Sequence, residues 1–375
     1  VWLGAHAFTD RSQLARAIAW MESDVDDQWR FPSRPIANAP PRFDFKEPAA
    51  AVRRRVEAAL EEVGLGAKAK GRPFAEFMHE TETLAFLVVR DDELLYEGYF
   101  NGATRESSVT SFSVAKSFVS ALVGCAIADG SIGSVEDPVT RYVPELLERD
   151  ARYRDVRLRH LLAMSSGIRY IERGLPWSDD STTYYAPDLR AAAVSSPIDG
   201  PPGQSFHYNN FHPLLLGLVI ERATKRSVAR YLEERLWKPL GMEAPASWSL
   251  DSERSGFEKM ESGINARAID FAKFGRLFLN RGRWNGVQVI PEAWVEESTR
   301  LDTASDPAPK YQYLWWVNAR VAPRHHFFAA GKYGQFIYVM PEKGLVFVRF
   351  GRADGYGSWP ALFERLGERI ATSEH

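Results

Sequence analysis

Ser113-Val114-Ala115-Lys116, followed by the run Ser117-Phe118-Val119-Ser120-Ala121-Leu122-Val123-Gly124-Cys125-Ala126-Ile127-Ala128 and the stop Asp129-Gly130, decides how this chain is read. The pattern is S-x-x-K at the mouth of a helix, and no other Ser in the sequence has a Lys three residues on. The apolar run predicts a buried helix closed by a glycine. Three residues is nearly one helical turn, so hydroxyl and amine share a face. A serine hydroxyl is a poor nucleophile until a neighbouring base removes its proton. A lysine amine serves as that base only if its pKa falls well below about 10.4. Burial and the positive end of a helix dipole both push it down. The tetrapeptide alone fits a helix N-terminus carrying a solvated lysine better than it fits a site.

Working outward, Thr83–Arg90 and Glu93–Phe100 are β-rich runs separated by Asp91-Asp92, a hairpin signal upstream of the serine. Ala49–Val63 has helical period, with Val52, Val56, Ala59 and Leu60 on one face and Gly64 and Gly66 as its stop. Residues 1–47 are rich in Pro and in acid clusters such as Asp24-Val25-Asp26-Asp27, which predicts an irregular arm laid on a body. From Asp137 to about Lys273 the strand signal fades. Helical pieces replace it at Leu158–Met164, Pro213–Arg222, Val228–Leu236 and Ala268–Leu279. Strands return at Phe336–Met340 and Leu345–Phe350 around Pro341-Glu342-Lys343-Gly344, before a last helix near Trp359–Ala371. The expected architecture is α/β (α+β type): an antiparallel sheet flanked by helices, built from 48–129 and 266–375. A mainly helical domain is inserted at 130–265, and 1–47 forms the arm. The groove between the domains is the expected place for a site.

The chain has 375 residues, 45% hydrophobic and 26% charged, with 11 Trp, so it suits a large folded core. A net charge of −2 gives no reason to expect nucleic acid or an anionic membrane as partner. The single Cys125 excludes an intrachain disulfide and reads as small core filler. No run of 18 apolar residues offers a membrane span. Val1-Trp2-Leu3-Gly4-Ala5 fits either the stub of a removed signal or anchor segment, which would make the protein periplasmic or anchored, or a plain chain boundary of a cytoplasmic one.

Two further elements accompany the serine. Tyr208-Asn209-Asn210 follows the turn Pro201-Pro202-Gly203-Gln204, and Lys332-Tyr333-Gly334 precedes the strand Phe336–Met340. Each has a decoy, Tyr99-Phe100-Asn101 for Y-x-N and Lys273-Phe274-Gly275 for K-x-G, so only the ordered set discriminates. As a set, Ser113-x-x-Lys116, Tyr208-x-Asn210 and Lys332-x-Gly334 resemble the three motifs of the serine β-lactamase-like superfamily. That group contains class C β-lactamases, D-Ala-D-Ala carboxypeptidases, family VIII esterases and 6-aminohexanoate-dimer hydrolase. Asp137–Pro144, Leu158–Gly167 and Trp284-Asn285-Gly286 with Val289-Ile290-Pro291 are similar to the same family, from about residue 80 to the C-terminus.

The resemblance implies a serine β-lactamase-like fold and an acyl-enzyme hydrolase acting on a small molecule, with no cofactor and no metal. Ser113 would be the nucleophile, Lys116 its base and Tyr208 the acid/base for the leaving group. Asn210 would hold Lys116 and the substrate carbonyl side. The backbone N–H groups of Ser113 and Gln335 would form the oxyanion hole, where such donors are worth roughly 3–4 kcal/mol each. Lys332 would add positive field near Tyr208, and Gly334 completes the motif. Tyr170 and Glu261 fall near substrate-side positions of 6-aminohexanoate-dimer hydrolase. Tyr333, also expected on the substrate side, departs from the pattern: β-lactamases place Thr or Ser there to grip a carboxylate, and a phenol would fill the space that carboxylate occupies. The expected substrate is therefore a linear amide or short ester. A β-lactamase or D-alanyl peptidase is the enzymatic alternative, and a silent binding protein on the same scaffold the non-enzymatic one.

Trp177, Tyr184, Tyr185, Trp315 and Trp316 are candidates to wall the cleft or fill the core. His207 and His212 have no common zinc spacing. His325-His326 invites a triad, but no G-x-S-x-G, P-loop or G-x-G-x-x-G is present in the chain.

Overall fold

A computed structural model describes residues 12–62, 73–301, 310–318 and 325–372. Two sheets organise them. The larger has seven strands in the order β3-β2-β13-β12-β11-β10-β9, every neighbouring pair antiparallel. β2 (Thr83–Arg90) and β13 (Leu345–Gly351) lie side by side between the edge strand β3 (Glu93–Tyr99) and the central strand β12 (Gln335–Met340). β11 (Phe327–Gly331), β10 (Trp315–Val317) and β9 (Tyr311–Gln312) continue it to the other edge. The two ends of the chain thus meet in one sheet, as the hairpin signals imply.

Alternation along a strand sends successive side chains to opposite faces. Phe86 and Val88 join a cluster with Val56, Leu60, Phe347, Trp359 and Phe363, under the helices Ala50–Glu62 and Trp359–Thr372. Leu87 and Val89 join the other cluster, with Phe118, Phe271, Phe274 and Val346. Phe118 of the helix Ala115–Ala128 stacks on Phe274 of the helix Ala268–Leu279, ring centroids 3.6 Å apart. That second helix lies on the sheet at Gly275, where a Cβ would fall 2.5 Å from Val346 Cγ1. The expected glycine stop of the helix Ala50–Glu62, at Gly64 and Gly66, lies outside the described residues.

The smaller sheet was not foreseen. It has the order β1-β5-β6-β4, with β1 (Ser33–Ile36) from the arm, β4 (Ser108–Thr110) just before the serine, and β5 (Ala246–Ser249) and β6 (Ile264–Arg267). The last two lie in the stretch whose strand signal had faded. Each is only four residues long, and β5 is Ala-Ser-Trp-Ser, too short and too polar to show a period. A two-residue ladder joins β7 (Arg283–Trp284) and β8 (Val287–Gln288). The arm is also more regular than expected. A helix Gln13–Trp20 is capped by Ser12, whose Oγ accepts from the Ala15 N–H, and a 3₁₀ turn Val25–Trp29 is capped by Asp24.

Candidate active site

β4 runs into Ser111, whose N–H continues the ladder to Ile264 O at 2.8 Å, so Ser113 is delivered by a strand rather than a free loop. The chain then turns sharply. Phe112 has φ 42, an uncommon conformation for a large side chain, and Phe112–Val114 forms a 3₁₀ turn at the head of the helix Ala115–Ala128. Two neighbours fit this turn. Gly331 closes β11 directly against it, where a Cβ would stand 2.6 Å from Ser111 O and 3.0 Å from Ser113 N. The Tyr333 ring packs edge-on against Phe112 at 5.5 Å.

Lys116 is buried, and its Nζ donates to Ser113 Oγ at 2.7 Å and to the backbone carbonyl of Glu261 at 3.0 Å. The same nitrogen sits 4.9 Å from the centre of the Tyr208 ring. Ser113, Lys116 and Tyr208, from the first two motifs, are therefore together. Tyr208 is held by aromatic neighbours: it stacks on Trp316 at 5.7 Å and meets the edge of Tyr311 at 5.8 Å. Burial pushes the Tyr311 phenol well above its ordinary pKa, so Tyr311 is a neutral wall at that position.

Other expected roles change. Asn210 does not hold Lys116. Its Nδ2 donates to the Tyr170 hydroxyl at 2.8 Å, while its Oδ1 is buried without a partner. The lysine instead hangs from Glu261 O. Tyr170 lies behind Asn210 and off the cleft wall, packed edge-on to Phe211 and His207, with burial raising its pKa. Its hydroxyl accepts from Asn210, and it does not line the cleft where a substrate contact is expected of it.

The third motif moves furthest. Lys332-Tyr333-Gly334 is the loop of the β11–β12 hairpin, in which Gly331 pairs with Gln335. Gln335 stands across that hairpin from Gly331, its side chain donating to Lys332 O and Gly351 O and accepting from Gly351 N–H. The backbone that borders the Ser113 amide is that of Gly331, so Gln335 does not fit the second oxyanion position. Gly334, at φ 72, makes room for a buried arginine: a Cβ there would fall 2.1 Å from Arg349 Nη1. Arg349 in turn donates to Tyr333 O and Gly334 O, both at 2.8 Å, and to Thr81 O at 2.8 Å. Tyr333 does not fill substrate space. Its hydroxyl donates to Ser23 O of the arm at 2.5 Å, and Lys332 Nζ reaches Ser23 Oγ at 2.9 Å and Glu22 Oε2 at 3.3 Å.

The arm therefore belongs to the site. A cleft of about 600 Å³ is bounded by Ser113, Tyr208, Asn210, Glu261 and Lys332 on the body and by Ile18, Met21, Glu22 and Ser23 on the arm. Tyr184 and Tyr185 line it as well, while Trp315 is core and Trp177 is largely exposed. The acid run Asp24–Asp27 was the signal for this arm. Asp26 pairs with Arg352 and Asp27 accepts from Tyr184 at 2.9 Å, contacts that no local pattern predicts.

Glu261 contributes twice. Its carbonyl steers Lys116, and its buried carboxylate lines the cleft. Oε1 accepts from Ser262 at 2.9 Å and lies 3.3 Å from Lys259 Nζ, whereas Oε2 has no partner. Lys259 is buried over the rings of Tyr184 and Phe31, at 3.8 and 4.3 Å, and burial lowers its pKa. Among the described residues the cleft lining carries four carboxylates (Glu22, Glu172, Asp180 and Glu261) and one cation, Lys332; Glu22 pairs with Lys332 and Glu261 with the buried Lys259.

The histidines stand apart from this chemistry. His212 is buried between Ser166 Oγ at 2.6 Å and Met164 Sδ at 2.9 Å, its pKa lowered to about 3 by burial. His326 bonds Tyr338 and Glu342. Among the described residues no group of three or more His, Cys, Asp or Glu is arranged to hold a metal, and no helix is long and apolar enough to cross a membrane.

A sheet fed from both chain ends, with a serine and a lysine on the first turn of a buried helix beside a tyrosine, defines a serine β-lactamase-like hydrolase fold. The chain belongs to the β-lactamase family, whose family model matches residues 53–362. It is 30% identical over 338 residues to the 6-aminohexanoate-dimer hydrolase of Paenarthrobacter ureafaciens, covering 84% of this chain and 83% of that one. Among solved structures it resembles a candidate 6-aminohexanoate-dimer hydrolase from Bacillus anthracis, with TM-score 0.78, 24% identity and 97% and 96% of the two chains covered. A family VIII carboxylesterase aligns with TM-score 0.63 at 15% identity, over 88% of this chain and 99% of that one. These two likenesses concern the fold.

Proposed function

We propose that this hydrolase cleaves a small linear amide, or a short ester of similar shape, through an acyl-enzyme on Ser113. The observation that carries the reading is the half-buried 2.7 Å contact between Lys116 Nζ and Ser113 Oγ, with the Tyr208 ring 4.9 Å from the same nitrogen. Lys116 takes the hydroxyl proton as Oγ attacks the substrate carbonyl carbon. The negative charge that develops on the carbonyl oxygen is met by the Ser113 N–H and by the N–H of Lys332, the first after Gly331. Tyr208 gives its proton to the leaving nitrogen or oxygen as that bond breaks. Water then attacks the acyl carbon and gives a proton to the Tyr208 phenolate, while the Lys116 ammonium returns its proton to Ser113 Oγ as the ester bond breaks and the acid leaves.

Charge favours the amide. With Glu22 paired to Lys332 and Glu261 to Lys259, the lining still presents Glu172 and Asp180, which favour a cationic substrate over an anionic one. Glu261 Oε2 and Asn210 Oδ1 are acceptors awaiting donors, as an ammonium or amide N–H would supply. A β-lactam carboxylate would have to displace Glu22 from Lys332. The name of the Paenarthrobacter relative, a hydrolase of an aminohexanoate dimer, agrees with such a substrate.

A fluorophosphonate probe should add one adduct, located at Ser113 by mass spectrometry. In a panel of aminohexanoate oligomers, p-nitrophenyl esters and nitrocefin, the best amide or ester should exceed nitrocefin in kcat/KM by at least about 100-fold, roughly 2.7 kcal/mol. Faster nitrocefin turnover than every amide and ester would replace this reading with a β-lactamase.

A further inference from the structure

The arm helix Gln13–Trp20 has two unlike sides. On one, Arg16 and Ala17 are buried and Trp20 packs edge-on against Phe31 at 5.1 Å. Arg16 donates to Tyr185 O at 3.3 Å and to Asp251 O at 2.5 Å, which fixes the helix on the body. The other side carries Leu14 and Ile18, one turn apart, and runs on to Met21 at the C-cap. Ile18 is 63% and Met21 76% exposed, so folding leaves their apolar surface in water. Single exposed apolar side chains are ordinary, but a group of them at the lip of a cleft marks a binding surface.

That lip belongs to the cleft of Ser113, which Ile18 and Met21 line. Leu175, itself 38% exposed, and Pro176 line it too. Gln13 ties the arm to this second segment: its Nε2 donates to Pro176 O and, at 2.8 Å, to Ser181 Oγ. All of these apolar side chains are open to a molecule lying in the cleft.

Met21 adds an independent sign. Its backbone stands at φ 56 and ψ −124, where a β-carbon is strained and glycine is at ease. The turn alone asks for glycine, yet the chain places there a flexible, exposed, apolar side chain. Two residues on, Ser23 is held to the hairpin by Lys332 Nζ at 2.9 Å and by the Tyr333 hydroxyl at 2.5 Å. The Tyr333 ring lies against Phe112, the neighbour of Ser113, so the lip has a fixed place relative to the nucleophile.

We infer that Ile18, Met21 and Leu175 form an apolar subsite for an unbranched hydrocarbon chain of the substrate, which makes the arm a determinant of chain-length preference. The chain belongs to whichever half of the substrate lies on the arm side of the scissile bond. Each methylene laid on this wall adds up to about 4-fold in kcat/KM, until the chain passes the lip. The kinetic consequence rests on the acyl-enzyme reading of Ser113; the binding consequence does not.

Two ester series on the full chain test it. The p-nitrophenyl acetate, butanoate, hexanoate and octanoate vary the acyl half, and the acetates of ethanol, butanol and hexanol vary the leaving half. In at least one series kcat/KM should rise by about 10-fold or more from the shortest chain to the best. Ile18→Ser, Leu175→Ser and Met21→Gly should each lower that ratio about 3- to 10-fold, and a ratio cancels any general loss of activity. Met21→Gly also guards against misfolding, because it relieves the backbone: Tm should hold or rise while the preference falls. Met21→Leu, which restores apolar bulk, should recover most of the preference. Independently of catalysis, calorimetric titration of the Ser113→Ala chain with N-butylhexanamide, which carries a chain on each side of its amide, should show binding weakened about 3- to 10-fold by Met21→Gly. Binding that depends on Met21 without turnover of any ester would remove the acyl-enzyme reading and leave the subsite standing. Ratios or binding unchanged in all three variants, preference for the shortest chain in both series, or neither turnover nor binding would each overturn the subsite.

Discussion

The two halves of the catalytic cleft are built differently. On one side Ser113 and Lys116 share the first turn of a buried helix, and Tyr208 leads into another helix through a short turn. On the other side lie a three-residue hairpin loop and an arm from the far end of the chain. The helical half is local: once the helix forms, hydroxyl and amine must share a face. The hairpin half is assembled by contacts more than 300 residues apart, such as Tyr333 with Ser23 and Lys332 with Glu22. A spacing motif names the chemistry in the first half and misplaces it in the second.

The harshest test of that contrast is Lys116→Ala. It should lower kcat by at least about 10³-fold with the far-UV spectrum unchanged, and the Ser113/Lys116 double variant should be little worse than either single, because members of one unit act non-additively. Additive losses would mean that the two residues do not share a step, and the local half would lose its special standing.

The second test falls on the hairpin. Gly331→Ala places a Cβ 3.0 Å from Ser113 N and 2.6 Å from Ser111 O, so the serine turn must shift. Loss of oxyanion stabilisation of about 10²–10³ in kcat is expected. Gln335→Met removes buried hydrogen bonds to Lys332 O and Gly351 and should cost stability of roughly 1–3 kcal/mol with a kcat loss below about 10-fold. A larger kcat effect at Gln335 than at Gly331 would restore the position that the resemblance implies.

Much of the fold was legible for the reason that the helical half was. β2 and β3 announce themselves by runs of apolar residues around Asp91-Asp92, and the helix Ala268–Leu279 has the bounds that its period predicts. What escaped was non-local. β5 and β6 carry four residues each and exist because β1 and β4 pair with them. Arg349 reads as a charge in an apolar strand, and only the fold shows that its guanidinium pins Tyr333 O and Gly334 O. The carbonyl of Glu261 that steers Lys116 is main chain, invisible to any residue pattern.

A third test asks what keeps the helical half standing. His212, at the start of the helix Phe211–Thr224, is buried with its pKa lowered to about 3. A histidine whose folded pKa lies below the unfolded value of about 6.5 binds its proton more readily when unfolded, so stability is full at neutral pH and is lost as pH falls from about 6.5 toward 3. Between pH 7 and pH 5 the loss should be about 2 kcal/mol from this residue, read as a drop in the urea midpoint. His212→Gln should flatten that slope. A slope that does not change would shift the acid sensitivity to other groups.

The smallest effect separates chemistry from latching at Lys332. If its charge shaped the field at Tyr208, Lys332→Gln would lower kcat by more than about 10-fold on neutral and cationic substrates alike. The contacts support a different role. The amine lies at the cleft mouth, 43% exposed in its side chain, and is engaged by Ser23 Oγ and by a largely exposed Glu22. Such an exposed pair contributes about 0–1 kcal/mol, and the Tyr333 hydroxyl adds roughly one more neutral hydrogen bond to Ser23 O. Lys332→Gln and Tyr333→Phe should therefore leave kcat within about 3-fold and act through KM, while cleavage of the arm near Met21–Asp24 by limited proteolysis becomes faster. A loss in kcat with KM and proteolysis unchanged would show that the Lys332 and Tyr333 side chains, and not the hairpin backbone alone, enter the chemical step.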